Sequence, residues 1–117
     1  MKVLFIINDA PYGSEKAYNA LRMAMAIQKD HAEVEVLIFL LADSVTCALP
    51  NQSTPNGYYN IERMLRAVIR KGGQIKACVG CSEARGVAGL TLLEGVKIST
   101  MSELAEWSVE ADKVLTF

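Results

Sequence analysis

The chain has 117 residues, is 51% hydrophobic and carries a formal net charge of −1, which fits one domain, residues 1–117, that buries roughly two-thirds of its unfolded surface without staples. The balanced charge and the absence of a long basic run exclude tight direct binding to nucleic acid, and the longest apolar run, Val36 to Ala42, is far too short for a membrane span. Three cysteines, an odd number, argue against a disulfide framework, and with no export signal a reducing cytoplasm is the expected compartment.

Val3 to Ile7 is a short apolar run that ends at Asn8-Asp9, and it reads as a strand rather than a signal peptide because no cleavage pattern follows. Pro11 and Gly13 make a turn, Ser14 is placed as the N-cap of a helix, and that helix runs to about Lys29. Val34 to Leu41 is apolar after Glu35 and reads as a buried central strand. Asp43 to Leu49 looks like a helical turn, and Pro50 to Gly57 is a polar loop. Ile61, Met64, Leu65, Val68 and Ile69 fall at i, i+3, i+4, i+7 and i+8, one apolar stripe of a helix that Gly72-Gly73 ends. On the other side of that helix, Arg63, Arg66, Arg70 and Lys71 read as a solvated face. Gln74 to Cys78 is a third strand, and Ser82 to Arg85 starts a short helix. Val96 to Ile98 is a fourth strand. Thr100-Met101-Ser102-Glu103 has the form of a capping box, and the helix it opens carries Leu104, Trp107 and Ala111 on one face. Lys113 to Phe117 closes the chain as a strand. Alternation of this kind predicts an α/β fold, a parallel sheet with helices on both faces.

In an open α/β sheet the ligand site lies beyond the carboxyl ends of the strands. The residues placed there are Asn8 to Ser14, Asp43-Ser44, and Cys78 to Gly86. Cys78 ends its strand. Backbone N–H groups of a following helix and the guanidinium of Arg85 would favour its thiolate, and the same cradle would hold a persulfide anion. The other reading of Cys78 is a small buried hydrophobe, and position alone leaves the two level. Cys78 and Cys81 also form C-x-x-C, a redox pair, half of a zinc site or a coincidence. The single histidine, His31, sits in a helix-to-strand loop and reads as solvated, so no metal site and no cofactor are expected. Cys47 reads as a packing residue on the same edge. Tyr12, in the Pro-Tyr-Gly turn, is placed to roof the site, and the helix start at Ser14 could bind an anion.

Several segments together resemble the DsrE family of small sulfur-relay proteins, in its YchN-like branch. They are Asn8-Asp9-Ala10-Pro11-Tyr12-Gly13-Ser14-Glu15, Phe39 to Val45, Gly57 to Glu62 with Met64-Leu65, Cys78-x-x-Cys81 with Arg85-Gly86, and the ending Ala111 to Phe117. The resemblance implies a flavodoxin-like, three-layer α/β/α fold with a mostly parallel five-stranded sheet, assembled into homo-oligomers, hexamers in this branch. Sulfur-transferring relatives carry a persulfide on a cysteine that opens a Cys-x6-Arg-Gly pattern, which here maps onto Cys78, Arg85 and Gly86. The expectation that follows is a sulfur carrier, a sulfurtransferase-type activity if it is an enzyme. Its site would comprise Cys78 and Arg85, with Asn8, Tyr12, Gly13, Ser14, Asp43 and Gly86 binding substrate or anion and Cys81 as resolving thiol. Its partners would be sulfur donor and acceptor proteins. Cys81 departs from the carrier pattern and leaves open a Cys78–Cys81 redox module. A non-catalytic, oligomeric ligand-binding protein is the third alternative.

Overall fold

The apolar runs Val3 to Ile7 and Val36 to Leu40 become inner strands of the computed structural model, which describes residues 1–54 and 57–117; the Pro55-Asn56 part of the predicted polar loop lies outside the described residues. The strands are β1 (Lys2–Ile7), β2 (Glu35–Leu40), β3 (Gln74–Cys78), β4 (Val96–Ser99) and β5 (Lys113–Thr116), and they form one sheet in the order β4-β3-β2-β1-β5. All four neighbouring pairs are parallel. Burial on both faces explains why β2 is apolar throughout its buried length, Val36 to Leu40, with only Glu35 at its start exposed.

The helices are α1 (Lys16–Asp30), α2 (Ile61–Arg70), α3 (Val79–Ala84) and α4 (Met101–Glu110), with a 3₁₀ turn at Ala42–Ala48. From β1 to β4 each step moves one strand in the same direction, so right-handed crossovers keep α1, α2 and α3 on one face. The return from β4 to β5 crosses the sheet the other way and sets α4 on the opposite face, where Trp107 meets Phe39 edge-on at 6.2 Å. The α2 stripe works as its spacing predicts: Ile61, Leu65 and Val68 are buried, with Met64 and Ile69 packed beside them.

Three local expectations change. α1 begins at Lys16 with Glu15 at its N-cap and no side-chain cap. Ser14 stands one residue before the cap, its Oγ donating to Asp9 Oδ2 at 2.7 Å and accepting the Lys16 N–H at 3.4 Å. The capping box at α4 is half made: Thr100 Oγ1 accepts from Glu103 N at 3.2 Å, but the Glu103 carboxylate accepts from Lys76 Nζ at 2.6 Å and Ser99 Oγ at 2.8 Å instead of reaching back. The short helix after β3 starts three residues early, at Val79, because Cys78 itself is its N-cap.

Candidate functional site

At the carboxyl end of β3 the chain passes from extended to helical without a loop. Cys78, at φ −61° and ψ 124°, therefore holds the position that Ser, Thr, Asn or Asp usually fill. Its Sγ accepts the Cys81 N–H at 3.2 Å, and its carbonyl accepts the buried Ser82 hydroxyl at 2.8 Å. A sulfur in this place is a weak acceptor when neutral and a stronger one as an anion, a preference that burial of the thiol outweighs.

The second thiol is held from the neighbouring strand end. Cys81 Sγ accepts the Ala42 N–H at 3.2 Å, across from the end of β2. Ala42 sits at φ +50°, a region that non-glycine residues seldom occupy. Arg85 braces this arrangement. Its Nε donates to Asp43 Oδ1 at 2.8 Å and its Nη1 to the Cys81 carbonyl at 3.1 Å, so one guanidinium ties the 3₁₀ turn to α3. The expected guanidinium-to-Cys78 contact is replaced by these two, because Asp43 and the Cys81 carbonyl offer it charged and neutral acceptors at once. Gly86, at φ +69°, then ends α3 in a left-handed turn.

The thiol of Cys78 is pushed up from its ordinary range, first by burial and then by its side-chain hydrogen bond with Cys81. The backbone N–H groups of Cys81 and Gly80 pull the other way without cancelling the rise. Burial pushes the Cys47 thiol up to about 12. That thiol donates to the Asp9 carbonyl at 3.8 Å and is core filling, as its sequence position indicated.

The remaining predicted residues form a second set around the β1–α1 loop. Asn8 gives its backbone N–H and its Nδ2 to the Phe117 carbonyl at 3.0 and 3.3 Å, which ties β1 to the end of β5. The Tyr12 hydroxyl accepts the Ile61 N–H at 3.1 Å, and its ring stacks on Tyr59 at 5.7 Å, so it fastens the loop to the start of α2. Gly13 sits at φ +111° in the turn. These contacts give Asn8, Tyr12 and Ser14 structural work, while Cys78, Cys81, Asp43 and Arg85 are joined by their own bonds. The residue that sequence reasoning passed over is Ala42. Its contribution is a backbone N–H in a rare conformation, and an alanine carries no side-chain signal of that.

A parallel α/β sheet in which an inner strand ends at one free thiol, with a second free thiol three residues on whose backbone N–H bonds the first, defines a small thiol protein of the α/β class. The chain belongs to the DsrE/DsrF-like family, which it matches over residues 1–117. It is 41% identical to Protein YchN of Escherichia coli strain K12 across 99% of this chain and 98% of that one, and 40% identical to an uncharacterized protein of Methanocaldococcus jannaschii across the whole of both. The crystal structure of the E. coli ychN protein superposes with a TM-score of 0.94, covering 99% of this chain and 98% of that one. Among the described residues no helix is long and apolar enough to cross a membrane.

Proposed function

We propose that the protein is a cytoplasmic, homohexameric sulfur-relay protein that carries a persulfide on Cys78 and passes the sulfane sulfur to an acceptor protein. The observation that supports this best is the Cys78 sulfur standing as the N-cap of α3 with the Cys81 N–H directed at it from 3.2 Å. Membership of a family associated with sulfur relay points the same way. The chemistry asks for a sulfur that holds a reactive adduct away from water. Cys78 is 8% exposed, enough shelter to slow loss of the adduct to stray thiols, and the N–H offers partial positive charge to an anionic terminal sulfur.

Incubation of the reduced chain with inorganic polysulfide, followed by intact-mass measurement, tests the reading. The expected result is a gain of one sulfur atom that dithiothreitol removes and that fragmentation of the loaded chain places on Cys78. An unchanged mass, or a gain that fragmentation never places on Cys78, rejects Cys78 as the carrier.

The C-x-x-C spacing of two free thiols, drawn together by the Cys81 N–H on Cys78 Sγ, favours a second reading, a dithiol–disulfide couple. A titration against glutathione with no reversible two-electron step removes it.

A further inference from the structure

The two cysteines are joined by the Cys81 N–H on Cys78 Sγ at 3.2 Å but lie at unequal depth. Cys78 is 8% exposed, whereas Cys81 is only partly buried. At 3.2 Å, Cys78 accepts the Cys81 N–H within its own turn and Cys81 accepts the Ala42 N–H across the strand ends. The donor for Cys81 is the more deliberate of the two. Ala42 carries that N–H at φ +50°, a conformation that costs on the order of 1 kcal/mol for alanine and persists only where its surroundings hold it. Arg85 supplies the hold, with one nitrogen on Asp43, the residue after Ala42, and another on the carbonyl of Cys81. The outer sulfur therefore has a fixed, preorganised donor for its own anion, and the inner sulfur lies within reach behind it.

We propose that Cys81 is the receiving thiol of this site: it takes the sulfane sulfur from a small or protein-bound persulfide and hands it inward to Cys78, with the Ala42 N–H stabilising the charge on Cys81 each time that sulfur is an anion. The proposal rests on the reading of Cys78 as persulfide carrier. In the first step the Cys81 thiolate attacks the terminal sulfur of a donor R–S–SH. The donor S–S bond breaks, its electron pair leaves on R–S⁻, and Cys81–S–SH forms. In the second step the Cys78 sulfur attacks the terminal sulfur of Cys81–S–SH. The Cys81–sulfur bond breaks, its pair stays on Cys81, and the Cys78 thiol proton passes to that sulfur. Cys78–S–SH and Cys81–SH result. A sulfur atom has moved twice; the donor persulfide becomes a thiolate as Cys78 becomes a persulfide, and no other oxidant or reductant is consumed.

The experiment uses the reduced full chain and glutathione persulfide. Samples taken over time are fragmented between Cys78 and Cys81 and weighed, with iodoacetamide alkylation of the untreated chain run in parallel. The expected result is an adduct on Cys81 that decays as one on Cys78 grows. In Cys81→Ser, loading of Cys78 should slow by roughly tenfold, the effect of losing the accessible attacking thiolate. Iodoacetamide should mark Cys81 before Cys78 in the wild-type chain, a readout that needs no variant to fold. Loading of Cys78 at an undiminished rate in Cys81→Ser overturns the receiving role and leaves the carrier reading standing. Absence of an adduct on every form overturns both, and alkylation of Cys78 ahead of Cys81 overturns the receiving role alone.

Discussion

Three cysteines in one short chain have three different fates, and surroundings rather than residue type decide them. Cys47 is sealed in the core with a thiol pushed up to about 12, Cys78 caps a helix under partial cover, and Cys81 stands outermost. Cys47 gives a pH prediction whose sign follows from the shift. Its folded-state value lies above the ordinary 9.0, so the unfolded chain ionises first. The stability tied to this thiol is complete below about pH 9 and is lost as pH rises toward 12, on the order of 1.4 kcal/mol per pH unit. Denaturant unfolding at pH 8 and pH 11 should therefore show a smaller pH dependence in Cys47→Ala than in the wild-type chain. Equal dependence in the two chains would refute this assignment. The Cys78-x-x-Cys81 pair and its Arg85 were legible as a group. That Arg85 acts through Asp43 was not, because the Asp43 carboxylate arrives from a strand end 42 residues away in sequence.

At the scale of elements, periodicity and turn chemistry carried most of the information. β3 spans the predicted Gln74–Cys78 because it is bounded by Gly72-Gly73 on one side and a helix start on the other, with Ile75, Ala77 and Cys78 buried. The two glycines do different things. Gly72 takes φ +91° to end α2, whereas a Cβ on Gly73 would collide with Val68 Cγ1 and stand 2.8 Å from the Val68 carbonyl oxygen. Backbone resists such a push, so Gly73→Ala should cost about 1–3 kcal/mol, read as a lowered urea midpoint with an unchanged slope. A midpoint within error of wild type would show that α2 can back away from β3. The half-made capping box at α4 illustrates what local patterns miss. The sequence Thr-x-x-Glu is present, yet Lys76 on the neighbouring strand attracts the carboxylate while lying over the Trp107 ring at 4.4 Å. A long-range charge outweighs the local N–H, since a hydrogen bond between charged groups is roughly twice as strong as one to a neutral donor.

For the whole molecule, the uneven cover of the sheet is the feature that matters. α1 and α2 pack together on one face, while the ten-residue α4 lies on the other, with Met101 and Val109 on its outer side 61% and 87% exposed and Ile98 and Val114 on the two edge strands 43% exposed each. Exposed apolar residues on this scale suit burial between copies and support the proposed homo-oligomer. Light scattering across a range of protein concentrations should report a hexamer mass, and Val109→Glu should shift it toward smaller species. A constant monomer mass would remove the oligomer from the proposal.

The α/β class, the alternation of strands and helices, the buried central strand and the placing of Cys78 at a strand's carboxyl end were readable from the linear order of residues. They depend on period, length and turn chemistry, which neighbours along the chain control. Only folding decided that Cys78 is the sheltered sulfur and Cys81 the outer one, and that an alanine N–H faces the second thiol. It also decided that Arg85 spends its charge on a carboxylate and a carbonyl, and that Asn8 and Tyr12 fasten the frame. Those outcomes turn on distances between residues far apart in the chain, and depth and direction exist only once the sheet has brought its strand ends side by side.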